Sequence, residues 1–184
     1  MHCTLARTKI VSAMLQVVIS GCAGLMVFAA LASPPAQPPQ RESVHRCRVA
    51  VFVNDPDPAG LNLRRAPGTE SQIATTIVDG DAMLDVTGSS GKWLRVERVR
   101  GADGTVQFVG EAWIFGPLTA VRANRALALH AAPRQTSAVV TTMQADQVGA
   151  VEECDAKWVR VRHGKSDGWM APGDQCGNSV TTCV

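Results

Sequence analysis

Beyond position 47 the apolar residues come in short alternating bursts, not at helical spacing. Leu61 and Leu63, and later Leu127 and Leu129, are separated by single polar or small residues. That period of two marks a strand with one buried face. Ile73 to Val78 is rich in β-branched residues and ends at Asp79-Gly80, a hairpin signal. Met83 to Val86 reads as the next strand, Thr87 to Gly91 as a loop, and Trp93 to Val99 as a strand. Asp103-Gly104 turns the chain back into Val106 to Val109, and the second half repeats the scheme through Gly164 to Gly168. No window of a dozen residues after position 47 carries helical periodicity. Roughly five short strands in about 60 positions are too few for two large layers, and they predict a small closed barrel.

The scheme is written twice. Leu61-Asn62-Leu63-Arg64-Arg65-Ala66-Pro67 matches Leu127-Ala128-Leu129-His130-Ala131-Ala132-Pro133 at an offset of 66, which also pairs Ile73 with Val139 and Ile77 with Met143. Lys92-Trp93-Leu94-Arg95-Val96 then matches Lys157-Trp158-Val159-Arg160-Val161 at an offset of 65. Trp113 and Trp169 correspond by role, each opening a short apolar segment. The first repeat spends twenty positions between its two Trp and the second eleven, so the first carries an excursion from Arg98 to Gly110.

Composition adds a destination. Arg7 and Lys9 precede an apolar run from Ile10 to Ala32, 23 residues long and free of charge. A basic start before an apolar stretch reads as a secretory signal, with Ala30-Leu31-Ala32 suited to cleavage before Ser33. The run is also long enough to remain as a spanning anchor, and Ile19 to Cys22 resembles a lipobox with Cys22 as the acylated residue. Each of the three readings places the remainder outside the cytoplasm, in the periplasm or beyond. Ser33 to Arg41 holds four Pro and serves as an extended spacer. Outside the leader the chain carries 16 basic and 16 acidic residues. With neither a basic excess nor a basic stripe, nucleic acid is not an expected partner.

Cys47, Cys154, Cys176 and Cys183 remain outside the leader, and four Cys in an exported domain suggest two disulfides. No C-x2-C pair supports a metal site, and no cofactor is implied. The three His outside the leader (His45, His130, His163) adjoin no nucleophile in a recognised arrangement. Asp55 and Asp57 are separated by proline, and Asp79 and Asp81 read as a turn. Catalysis is therefore not expected.

The succession L-N-L-R-x-x-P-G, then G-K-W-L-R-V, then a Gly-led W-I resembles the bacterial SH3 (SH3b) domain. The second repeat is similar through L-A-L-H-x-x-P, K-W-V-R-V and G-W-M-A, although Arg134 replaces Gly68 and Ala128 replaces Asn62, leaving the form of its first turn open. The resemblance implies an all-β chain of two tandem SH3-like barrels, 47–120 and 121–171. They follow a signal or anchor segment (1–32) and a Pro-rich linker (33–46), and precede a Cys-bearing tail (172–184). It implies a binding module of the cell envelope, with peptidoglycan or its stem peptides as the ligand class. Alternation turns Leu94 and Val96, like Val159 and Val161, inward. Trp93 beside Arg95, and Trp158 beside Arg160, are thus the expected contacts, with Trp113 and Trp169 as further candidates. The plainer reading is that each Trp caps its own barrel. An adaptor that engages another envelope protein through the 98–110 excursion is the alternative function, and an anchored spacer a third. Membrane contact is expected only through residues 10–32, if uncleaved. For the cysteines, Cys154 at a loop edge is expected to pin the tail through Cys176 or Cys183, leaving Cys47 to tie the barrels together; a Cys176–Cys183 hairpin competes.

Overall fold

The computed structural model describes residues 43–180, so the leader, the Ser33 to Arg41 spacer and Cys183 lie outside the described residues. Strands dominate: β1 (His45–Val53), β2 (Leu61–Arg64), β3 (Ile73–Ile77), β4 (Met83–Ser90), β5 (Trp93–Arg100) and β6 (Val106–Phe115) form the first repeat. A 3-10 turn at Gly116–Leu118 leads into β7 (Thr119–Ala123), β8 (Leu127–His130), β9 (Val139–Met143), β10 (Val148–Asp155), β11 (Trp158–His163), β12 (Ser166–Met170) and β13 (Gln175–Cys176). No α-helix occurs among the described residues. The two repeats share one strand order, β3-β2-β6-β5-β4-β1 and β9-β8-β12-β11-β10-β7, and meet where β1 pairs with β7. The ladder is therefore continuous, with an approximate twofold relation between two SH3-like barrels that belong to one compact unit.

The alternation does what period two requires. Leu61 and Leu63, like Leu129, Leu94, Val96, Val159 and Val161, are fully buried. Leu94 faces Ile114 across β5–β6, and Val159 faces Met170 across β11–β12. The corresponding register places Arg95 opposite Trp113 and Arg160 opposite Trp169, so those two Trp are equivalent by structure.

Four expectations change. Thr87 to Ser90 is not a loop: these residues continue β4, held on one side by β1 and on the other by β5. β1 starts at His45, inside the expected linker, and Thr119 and Ala120 open β7, where Thr119 pairs with Val53 and Ala120 also reaches Ala150 of the second repeat. The tail is not external, because Gln175 and Cys176 add a strand to the edge of β7 that β1 leaves uncovered. Cys154 is no loop-edge residue; it is fully buried within β10 and bonded to Cys47. Cys176 is also disulfide-bonded, and its partner is outside the described residues. The Cys47–Cys154 bond therefore ties the barrels, and the pairing of Cys154 with the tail is excluded.

Around that bond the repeats interlock. Arg48 N donates to Ala156 O at 2.7 Å and Ala156 N to Arg46 O at 2.9 Å. The buried Ser89 hydroxyl donates to Cys154 O at 2.9 Å and accepts from Cys154 N at 3.2 Å. Lys92 Nζ lies 3.0 Å from Glu152, a buried carboxylate that Arg162 also approaches at 3.2 Å. Burying that carboxylate between two cations offsets its desolvation.

The second repeat keeps its first turn despite Arg134. Arg65 N to Gln72 O, Ala66 N to the Ser71 hydroxyl and Ser71 N to Gly68 O recur as Ala131 to Ala138, Ala132 to the Ser137 hydroxyl and Ser137 to Arg134. Ser71 and Ser137, rather than the glycine, carry the turn.

Candidate functional site

The first repeat has a groove that the second lacks. Its wall is the β1–β2 connection, residues 54–60, whose shape is set by two aspartates. Asp55 accepts the Asp57 N–H at 3.0 Å, and Asp57 accepts the Ala59 N–H at 2.9 Å. The loop closes at Gly60, where φ is 91° and a Cβ would collide with the Ile77 carbonyl, so glycine is required. Trp93 and Phe115, paired across β5–β6, form the floor with ring centroids 5.5 Å apart at a tilt of 55°. Asn62 and Arg64 project from β2 into the same cavity of ≈ 330 Å³. Arg64 is held by a 2.7 Å donation to Ser71 O, and Asn62 accepts from the Thr76 hydroxyl at 2.8 Å. Carboxylates, an aromatic floor and a guanidinium thus line one cavity.

Trp93 has a second exposed side. There it shares an apolar cavity of ≈ 570 Å³ with Val44, Pro67 and Trp113. Trp113 is 6% exposed and Trp169 9%, and each stands at the register pair joining β6 to β2 or β12 to β8. Their main work is closing the barrels.

Trp93 and Arg95 do not form a joint surface. Arg95 turns away, donating to Thr87 at 3.2 and 3.3 Å and lying 3.8 Å from Glu111, and it lines a different cavity. In the second repeat Trp158 packs edge-on against His130 at 5.7 Å, while Arg160 pairs with Glu153 at 3.4 Å. The groove's parts are missing there: β7–β8 is joined by only residues 124–126, Ala128 stands for Asn62, and Ala171 takes the place in the repeat that Phe115 holds in the first. Asp55, Asp57, Asn62 and Phe115 were not among the expected contacts. The signal for them was the difference in length between the two β1–β2-type connections.

A basic stripe, absent from the linear reading, also forms. Arg46 and Arg48 share the outer face of β1, and Arg95 and Arg98 approach from β5 to line one cavity with them.

The model of the bacterial SH3 domain matches residues 57–107 and again 123–173, more than half of the chain. The chain belongs to the bacterial SH3 domain family. This SH3 protein matches no curated protein. Among solved structures it is similar to NlpC1 from Trichomonas vaginalis (10% identity, TM-score 0.30, 70% of this chain and 45% of that one). NlpC2 from the same organism matches at 8% identity and a TM-score of 0.29, covering 71% and 48% of the two chains. The chain thus spans less than half the length of those structures, and the family assignment rests on the two SH3 matches. A bacterial SH3 domain is typically a binding module, which agrees with a site made of grooves.

Proposed function

We propose that this SH3 protein is a non-catalytic module of the bacterial envelope that binds cell-wall peptide in the Trp93 groove. The observation that carries the reading is the asymmetry of the repeats: only the first combines the aspartate-shaped loop with the Trp93–Phe115 floor and Arg64. A short peptide bearing a free amine and a free carboxylate complements that set, the amine toward Asp55 and Asp57 and the carboxylate toward Arg64. The aromatic floor supplies apolar contact for the methyl and methylene groups between them. The second repeat then serves as a scaffold, its Trp158 engaged with His130.

Co-sedimentation of the full chain with insoluble peptidoglycan tests this. Trp93→Ala is expected to weaken retention by about tenfold or more, as truncation of a central aromatic contact does, while Trp158→Ala leaves it nearly unchanged. Equal retention of wild type and Trp93→Ala, or none by wild type, refutes the assignment.

The adaptor reading has one observation in its favour. Residues 98–110 form a β5–β6 hairpin arm whose Val106 and Val109 are 54% and 67% exposed. Val99 on the same arm is fully buried and Phe108 packs on the core, so deleting 99–109 would unfold the barrel edge. Val106→Ser/Val109→Ser is the variant that tests a protein contact there.

A further inference from the structure

The repeats differ in a second way, on the face opposite in character to the aromatic groove. At the bulge of β10 the second repeat carries Glu152 and Glu153, next to Arg160 and Arg162 of β11. Together with Asp167 these carboxylates neutralise both guanidiniums: Arg160 meets Glu153 at 3.4 Å and Asp167 at 3.8 Å, and Arg162 meets Glu152 at 3.2 Å and Asp167 at 2.8 Å. The equivalent bulge of β4 carries Thr87 and Gly88. The first repeat thus has Arg95 where the second has Arg160, has Arg98 brought by the β5 bulge to the place of Arg162, and has a hydroxyl and a bare backbone position where the second has its glutamates.

The result is a cleft of ≈ 590 Å³ lined by Arg46, Arg48, Arg95 and Arg98. Bulges in β1, β4 and β5 fall at the same level and make the concavity. Arg46 and Arg95 both stand opposite Gly88, one on each flanking strand. Two strand spacings separate them, about 10 Å, enough for an oxyanion between two guanidinium forks. The Arg46, Arg48 and Arg98 guanidiniums form no ion pair among the described residues, and Arg95, held by its two donations to Thr87, has as its ion pair only the long contact to the exposed Glu111. Glu97 and Glu111 are the carboxylates on the cleft, so a local excess of two positive charges remains. In a chain balanced outside its leader, an unneutralised cluster held in a formed cleft is a recognition feature, since like charges gathered without a partner destabilise the free protein.

We propose that this cleft binds a phosphate ester group, with Arg46, Arg48, Arg95 and Arg98 as its cationic walls and Thr87 holding Arg95 in place. The site is separate from the Trp93 groove and stands whether or not that groove takes peptide. A phosphate group reaches such a cleft either on a soluble phosphate compound or as a phospholipid headgroup, and two measurements distinguish them.

Calorimetric titration of the full chain with inorganic pyrophosphate at low ionic strength is the first. Arg46→Gln/Arg48→Gln, both exposed and outside the core, is expected to weaken binding about tenfold or more, and added salt to do the same. Thr87→Glu, which copies the acidic bulge of the second repeat, is expected to abolish it. Arg160→Gln and Trp93→Ala are expected to leave it unchanged. The second is co-sedimentation with phosphatidylglycerol and with phosphatidylcholine vesicles, where the double variant controls for any insertion by residues 10–32. Pyrophosphate binding that the double variant loses supports the site and a soluble ligand. Loss confined to the phosphatidylglycerol vesicles supports the site and a headgroup. If the double variant equals wild type with both probes, or Arg160→Gln loses as much, the proposal is overturned.

Discussion

Replacing both halves of the Cys47–Cys154 bridge with alanine isolates what the bond contributes to a structure that is already docked by hydrogen bonds. The bond closes 107 residues, the whole first repeat and the second as far as β10. In the chain-entropy description, closing a loop of that length removes about 16 cal/mol/K from the unfolded ensemble, or about 4.8 kcal/mol at 25 °C. Cys154 is fully buried and Cys47 nearly so, so each alanine also forfeits some packing around the lost sulfur. For a body of this size the loss corresponds to a fall in melting temperature of about 15 °C. Denaturant unfolding of oxidised wild type and the double variant measures it, and the slope against denaturant should rise as well, because the unlinked chain exposes more surface when unfolded. A loss below about 1 kcal/mol with an unchanged slope would refute the reasoning. It would mean that the unfolded chain is already as confined without the bond as with it.

Other expectations follow from single contacts. Ser89→Ala removes the hydroxyl that serves both Cys154 N–H and C=O in a fully buried position, and should lower unfolding free energy by about 1–3 kcal/mol, read by denaturant titration. Asp167 has its carboxyl held below the usual range, chiefly by the hydrogen bond from Arg162; burial opposes this as the next-largest effect, and the nearby charges of Arg162, Arg160 and Lys92 add to the lowering. A depressed folded-state pKa stabilises the fold fully above the unfolded value of about 3.9, and the contribution is lost as pH falls through the lower folded value. The stability difference between wild type and Asp167→Asn should therefore shrink as pH is lowered through that window; a difference constant from pH 6 to 2 would contradict the ion pair.

Sequence alone determined the architecture, because the information needed for it is local and doubled. Two Leu-x-Leu strands, two K-W-x-R-V strands and the turn residues between them specify small barrels whatever their partners, since period-two burial needs only one apolar face to hide. It also placed Leu94 and Val96 inside. What it could not specify was anything that depends on two distant strands sharing a bulge or an edge. Thr87 to Ser90 look like a loop until β1 and β5 are known to flank them. Cys154 looks like a loop-edge residue until β10 is seen to run through it beside Cys47, 107 positions away. The arginine cleft is likewise invisible in a charge tally of zero. Arg46 and Arg48 are brought to Arg95 and Arg98 only by the β1–β4–β5 register, and the glutamates that would balance them stand in the other barrel. Charge is counted along a chain but acts across a few ångströms, so its pattern belongs to the tertiary structure.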